Sequence, residues 1–253
     1  MGCEGCRDGH DLGFAIRAAF QPIVDLETGK VFAYEALVRG PEGQGAGWVL
    51  GQVDDDNRYR FDQACRVAAI TEAVTAGLLD TDARLSINFL PNAVYSPQAC
   101  IRLTLATARE QQLPTSRLMF EFTEGEKLDA AHVRNIVESY RFHGFTTAID
   151  DFGAGYAGLN LLAEIQPDCI KLDMELVRGI GSHQPRRLIV ASMVRLARAM
   201  GIRLVAEGIE THAELATLRQ LGVRYVQGYL IARPALGALP VPDPAALQQA
   251  YAA

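Results

Sequence analysis

Short apolar runs alternate with longer stretches of helical spacing along most of this chain. Residues 20–24 and 31–38 are apolar and are joined by Asp25-Leu26-Glu27-Thr28-Gly29-Lys30, with Asp and Gly in turn positions, which predicts two antiparallel strands. A polar, Gly-rich loop at 40–47 follows. A helix is then predicted over about 58–76, where Phe61, Cys65, Ala68, Ala69 and Ala73 recur near helical spacing. From there strands at 84–89, 117–122, 146–149, 169–172, 203–206 and 224–227 alternate with helices at 97–111, 130–142, 159–164, 185–200, 212–221 and 244–251. About eight strands with interleaved helices predict an α/β fold, a modified TIM (β/α)8 barrel with an antiparallel first strand. An open doubly wound sheet has little support, because no Gly-x-Gly-x-x-Gly follows the first strand and there is no phosphate loop.

The polar residues near the strand exits share a phase. Glu35, Asn88, Glu121, Asp150 with Asp151, Lys171 with Asp173, Glu207 and Gln227 occur strand after strand, and in a barrel those exits converge on the face where active sites of this fold are built. Asp150-Asp151-Phe152-Gly153-Ala154-Gly155 is the densest of these stretches. Two adjacent carboxylates stay ionised together where cations compensate them, although Asp-Asp-x-Gly is also a turn that caps a helix. Each other residue has a plain structural alternative: Asn88 as a turn residue before Pro91, Lys171 as a solvated charge, Glu121 or Glu207 in a salt bridge. As a set, Glu35, Asn88, Glu121, Asp150 and Asp151 are hard oxygen donors, which favour Mg²⁺ or Mn²⁺ over structural zinc. Two such ions suit phosphodiester hydrolysis. Lys171 then neutralises charge or orients water, and Glu207 holds water or a metal; a protonated lysine is not itself the base.

Composition narrows the reading. The 253 residues are 49% hydrophobic with a formal net charge of −6, which argues against general affinity for duplex nucleic acid. No apolar run of about 20 residues predicts a membrane span. Five cysteines make no even disulfide framework and no signal peptide is visible, so a cytoplasmic location is expected. Cys3-x-x-Cys6 with His10 is in principle half of a zinc site or a redox pair, but no second Cys pair follows, and residues 1–15 read as a tail with no specific chemistry ahead of one domain at 16–253.

Tyr34-Glu35-Ala36-Leu37-Val38-Arg39 resembles the signature of EAL domains, the bacterial phosphodiesterases that hydrolyse cyclic di-GMP. The resemblance runs from about Phe20 to Pro234. It includes Gln21-Pro22-Ile23, Ser86-Ile87-Asn88, Glu121-Phe122-Thr123-Glu124, Asp150 to Tyr156, Lys171-Leu172-Asp173, Ala206-Glu207-Gly208-Ile209-Glu210-Thr211 and Gln227-Gly228-Tyr229-Leu230. It implies a barrel with an irregular first strand, two Mg²⁺ or Mn²⁺ ions, and cleavage of cyclic di-GMP to linear pGpG. Carried over by motif, Glu35, Asn88, Glu121 and Asp150 bind one metal, and Asp150 with Asp151 the second. Lys171 and Glu207 position or activate water, supported by Glu210 and Gln227, while Gln21 and Arg39 contact substrate. Glu124 braces the loop after Asp151 and passes metal occupancy to a homodimer interface. The alternative is a catalytically weak cyclic di-GMP effector signalling to a regulatory partner protein. Departures from the family pattern are local: Ala157-Gly158, Gly40-Pro41 and Ala232-Arg233-Pro234 replace frequent Ser-Ser, Trp and Ser-Lys-Pro.

Overall fold

The computed structural model describes residues 12–123, 129–155 and 158–247. In chain order the elements are β1 (Arg17–Asp25), β2 (Val31–Arg39), α1 (Ala46–Leu50), α2 (Arg58–Thr75), β3 (Arg84–Asn88), α3 (Pro97–Glu110), β4 (Leu118–Thr123), α4 (Ala130–Phe142) and β5 (Thr146–Phe152). They continue with α5 (Gly158–Glu164), β6 (Cys169–Leu172), α6 (Met174–Val177), α7 (Gln184–Met200), β7 (Arg203–Ala206), α8 (His212–Gln220), β8 (Tyr225–Val226) and β9 (Ala235–Leu236). β2 to β8 pair in parallel in chain order. β1 closes the barrel by running antiparallel to both its neighbours, with Gln21 opposite Glu35 on β2 and Val24 opposite Val226 on β8. The five-residue connection, 26–30, makes this antiparallel start unavoidable, since a parallel partner needs a crossover of a dozen residues or more.

Strand alternation sorts side chains into two cores. Outward residues such as Phe20, Leu85, Ile87, Phe120, Phe122, Ile149, Ile170 and Leu172 pack under the helices against Ile70, Ile101, Val133, Ile136 and Val190. Each such burial contributes about 1.5–3 kcal/mol. Inside the barrel, Ile23, Ala33, Met119, Ala148, Cys169 and Val205 form one apolar layer. Two residues further toward the C-terminal rim on these strands stand Glu35, Glu121, Asp150, Lys171 and Glu207; antiparallel β1 gives Gln21 by stepping two residues back. The apolar layer is a floor. The polar layer lies on it.

Two differences from the sequence expectation matter for the site. β5 does not stop at residue 149 but runs to Phe152, carrying both aspartates. The loop predicted at 40–47 leads directly into the short helix α1. Of the C-terminal helix expected at 244–251, residues 244–247 are helical and the remainder lies outside the described residues. Among the described residues, no helix is long and apolar enough to cross a membrane.

Candidate active site

Lys171 is the centre of the polar layer. It has no exposed surface, and its Nζ lies 2.6 Å from Glu207 Oε1, 2.7 Å from Glu121 Oε2, 3.1 Å from Asp150 Oδ1 and 3.2 Å from Glu35 Oε2. The strands supply these partners by register: β4 and β5 bring Glu121 and Asp150 from one side, β7 brings Glu207 from the other, and β2 brings Glu35 across the barrel.

Glu35 is held by two amide donors besides sharing Lys171. Gln227 Nε2 donates to Oε2 at 2.7 Å and Asn88 Nδ2 to Oε1 at 3.1 Å. Gln227 Nε2 also donates to Gln21 Oε1 at 3.1 Å, and Gln21 Nε2 to the Ala232 carbonyl at 3.0 Å. Gln227 is fixed by a close backbone approach: a Cβ on Gly228 would lie 2.1 Å from the Ile209 carbonyl oxygen. Only glycine lets the loops after β7 and β8 meet there.

Consecutive strand residues ordinarily point to opposite faces, so a regular β5 would send Asp151 away from Asp150. The β5–β6 pairing instead shifts register between Ile149 and Phe152, and Asp151 takes the left-handed conformation at φ 52°, which Asp tolerates better than most residues. This irregularity brings the neighbouring carboxylates together. One oxygen each of Asp150, Asp151 and Glu207 lie within 4.8 Å of one another, as do one each of Glu35, Glu121 and Asp150. Asp150 belongs to both groups.

Burial pushes Glu121 up to about 8, with Lys171 opposing and the Glu35 and Asp150 charges adding to the rise. Burial likewise lifts Glu207 well above the ordinary carboxyl range against the pull of Lys171. Asp151 is pushed up to about 6 by burial and by the Asp150 and Asp173 charges. Glu35 goes the other way: burial would raise it, but Lys171 and the Gln227 and Asn88 amides outweigh burial and hold it down. Burial disfavours the Lys171 ammonium, yet the surrounding carboxylates raise it well above its usual value. Five carboxylates thus face one ammonium. Glu207 Oε1 and Asp150 Oδ1 are buried and accept no hydrogen bond of good geometry beside their ion pairs with Lys171. Hard oxygen donors with excess negative charge and spare lone pairs fit divalent cations such as Mg²⁺ and Mn²⁺.

The structure does not bring every expected residue to this cluster. Arg39, half-buried at the end of β2, donates from Nη1 to the Val38 carbonyl at 2.8 Å. The Glu210 carboxylate is half-exposed and meets Arg178 at 3.3 Å; Gly208, at φ 66°, turns the chain before it. Asp173 caps α6, accepting from Glu175 N at 2.8 Å. Glu124 lies outside the described residues, as do Cys3, Cys6 and His10. Conversely, Ser86, for which the sequence suggested no role, is fully buried and donates its hydroxyl to Glu121 Oε1. Its signal was the two-residue spacing to Asn88 on the same strand face.

Fold and site together define a (β/α)8-type barrel with an antiparallel first strand and an acidic centre at the C-terminal ends of its strands. Residues 14–234 match the EAL domain, and the chain belongs to that family. A crystal structure of a standalone versatile EAL protein from Vibrio cholerae O395, in its c-di-GMP bound form, aligns with a TM-score of 0.90 at 48% identity, covering 93% of this chain and 99% of that one. Klebsiella pneumoniae BlrP1, in a manganese and cyclic di-GMP complex, aligns with a TM-score of 0.83 at 36% identity, over 90% of this chain and 58% of that one. Two Escherichia coli K12 proteins are each 31% identical: the blue light- and temperature-regulated antirepressor BluF, over 88% of this chain and 55% of its own length, and the probable cyclic di-GMP phosphodiesterase PdeA, over 83% and 31%. The chain therefore spans about half, or less, of the length of these two relatives.

Proposed function

We propose that this chain hydrolyses cyclic di-GMP to linear pGpG with two Mg²⁺ or Mn²⁺ ions. The observation that carries the reading is the imbalance around Lys171, where five carboxylates from three strands and the loop after β7 converge around a single ammonium. Glu35, Asn88, Glu121 and Asp150 hold one ion, and Asp150 with Asp151 the other. When bound, such ions polarise the phosphodiester and ease deprotonation of the attacking water. Lys171, fixed by its carboxylates, presents positive charge to the phosphate and keeps the water oriented. Glu207 receives or relays the proton that the water loses. Gln21, Gln227 and Arg39 contact the nucleotide, with Arg39 exchanging its bond to the Val38 carbonyl for a substrate phosphate. Glu210 acts at one remove, through the loop that carries Glu207.

The test is formation of pGpG from cyclic di-GMP with Mg²⁺ or Mn²⁺, beside the same assay with Ca²⁺, whose coordination is looser. Turnover with the first two and its loss in E35A and D151A support the reading. Undiminished turnover in both variants refutes the site assignment. The relative named as an antirepressor favours a second reading, a weakly catalytic effector that passes cyclic di-GMP occupancy to a partner protein; nucleotide binding with no product under any metal selects it. Either reading includes a homodimer through the loop after Asp151, and a monomer in sedimentation at full activity would refute that part. A cytoplasmic site of action follows from the same reading and is checked by fractionation.

A further inference from the structure

A second buried cation stands on the other side of the barrel wall. Arg66, on the barrel-facing side of α2, has no exposed surface. Its Nη2 lies 2.9 Å from Asp62 Oδ2, one helical turn earlier, and its Nη1 donates to Tyr140 Oη on α4 at 2.8 Å. The guanidinium carbon is 5.5, 5.1 and 5.8 Å from the ring centres of Phe89, Phe120 and Tyr140. The other Asp62 oxygen, Oδ1, accepts the backbone N–H of Leu90 at 3.0 Å.

The chain positions of these contacts are informative. Phe89 and Leu90 directly follow Asn88, and Phe120 directly precedes Glu121. Asn88 and Glu121 face each other across β3 and β4, and the Phe89 N–H donates to the Glu121 carbonyl at 2.9 Å. The polar atoms and rings around Arg66 therefore grip, from behind, the segments whose next residues point into the barrel. Stability alone does not explain a buried ion pair here, because apolar side chains of similar volume are often as stable or more so. What an apolar replacement cannot do is accept the Leu90 N–H. That bond sets where β3 ends and how Asn88 is presented; the Asn88 Nδ2 is committed to Glu35, which leaves Oδ1 as its ligand atom.

We infer that Asp62, Arg66 and Tyr140 are positioning residues for Asn88 and Glu121, holding these two side chains in the geometry that receives a divalent cation. The inference rests on the metal reading of the site. The clamp touches neither the ion nor the substrate; it acts through the backbone of β3 and the ring of Phe120.

The test is calorimetric titration of the metal-free 253-residue chain with Mn²⁺ alone, alongside thermal melting. In D62L/R66M, which fills the space but cannot accept the Leu90 N–H, the gain from removing the buried ion pair offsets the loss of that acceptor, and the melting temperature is expected to stay within about 5 °C of the wild type while the Mn²⁺ Kd weakens by about tenfold. D62N/R66M restores an acceptor and is expected to return most of that affinity. An Mn²⁺ Kd within twofold of wild type in folded D62L/R66M would overturn the inference, as would failure of the Asn variant to recover affinity. If D62L/R66M does not fold, Y140F takes its place: it removes one Arg66 acceptor and keeps the ring, and a weakened Kd at unchanged fold is the expected result and an unchanged Kd the contrary one. A wild-type protein that binds no Mn²⁺ would overturn the metal reading itself, a different failure from a wild type that binds and a variant that binds equally well.

Discussion

Among the described residues, Lys171 and Arg66 are the two fully buried cations that form ion pairs, and they are surrounded in opposite ways. Arg66 has one carboxylate, one phenol and three aromatic faces. One carboxylate matches its one positive charge, although its Nε makes no hydrogen bond and its Nη2 has only the ion pair with Asp62. Lys171 has four carboxylates within 3.2 Å, with Asp151 nearby, and burial together with this surplus lifts Glu121 to about 8 and Glu207 well above its ordinary range. A buried charge with matching partners holds a fold in register. A buried charge outnumbered by its partners marks a place where further cations belong.

The comparison breaks first at catalysis. Lys171→Met is expected to lower turnover by about 10²–10⁴-fold, with circular dichroism showing the fold retained, whereas R66M should lower turnover far less than it lowers stability. Comparable activity losses in the two variants would erase the distinction. Next is stability: R66M leaves Asp62 buried without its cation and should cost about 3–5 kcal/mol in urea unfolding. A loss below about 1 kcal/mol would mean that the Asp62 carboxylate finds another partner.

A finer test concerns Ser86. S86A removes the hydroxyl donor to Glu121 Oε1 and is expected to weaken Mn²⁺ binding by about tenfold at little cost in melting temperature, as read by calorimetry.

The smallest effect belongs to a cluster near the surface at the opposite end of the barrel, where Arg224 meets both Asp25 and Glu27. Arg224 contacts Asp25 through Nε at 2.8 Å and Nη2 at 2.6 Å. Burial would raise the Asp25 carboxyl, but the Arg224 bonds and the Glu27 N–H hold it below its ordinary value. Its contribution is therefore present above the unfolded-state pKa of about 3.9 and is lost as pH falls through the lower folded value. Because 41% of the Arg224 side chain stays in water, R224Q should cost about 1 kcal/mol or less at pH 7. Urea midpoints at pH 7 and pH 3 should lie closer together in R224Q than in the wild type.

Strand and helix alternation was legible because barrel strands and their covering helices have distinct periods, and the loop from Asp25 to Lys30 is too short for anything but an antiparallel start. The polar layer was legible because Glu35, Glu121, Asp150, Lys171 and Glu207 share a phase. What the pattern concealed was depth: these side chains sit inside the barrel, one layer above an apolar floor, and Lys171, open in the sequence to reading as a solvated charge, is fully buried. The pairing of Asp150 with Asp151 depends on a register shift and a left-handed φ, which no periodicity encodes. Asp62 and Arg66 were missed because a charged pair four residues apart on a helix reads as a surface pair, although Phe61, Ala69, Ile70 and Ala73 placed that face against the barrel.

The central claim is that the surplus of carboxylates around Lys171 exists to hold divalent cations. Equilibrium dialysis of the metal-free protein against Mn²⁺ tests it most directly, because it counts ions without requiring turnover. Two Mn²⁺ per chain in the wild type, with binding at both positions impaired in D150A because Asp150 belongs to both carboxylate groups, is the predicted result. Absence of stoichiometric binding, or binding that D150A leaves unchanged, would contradict it.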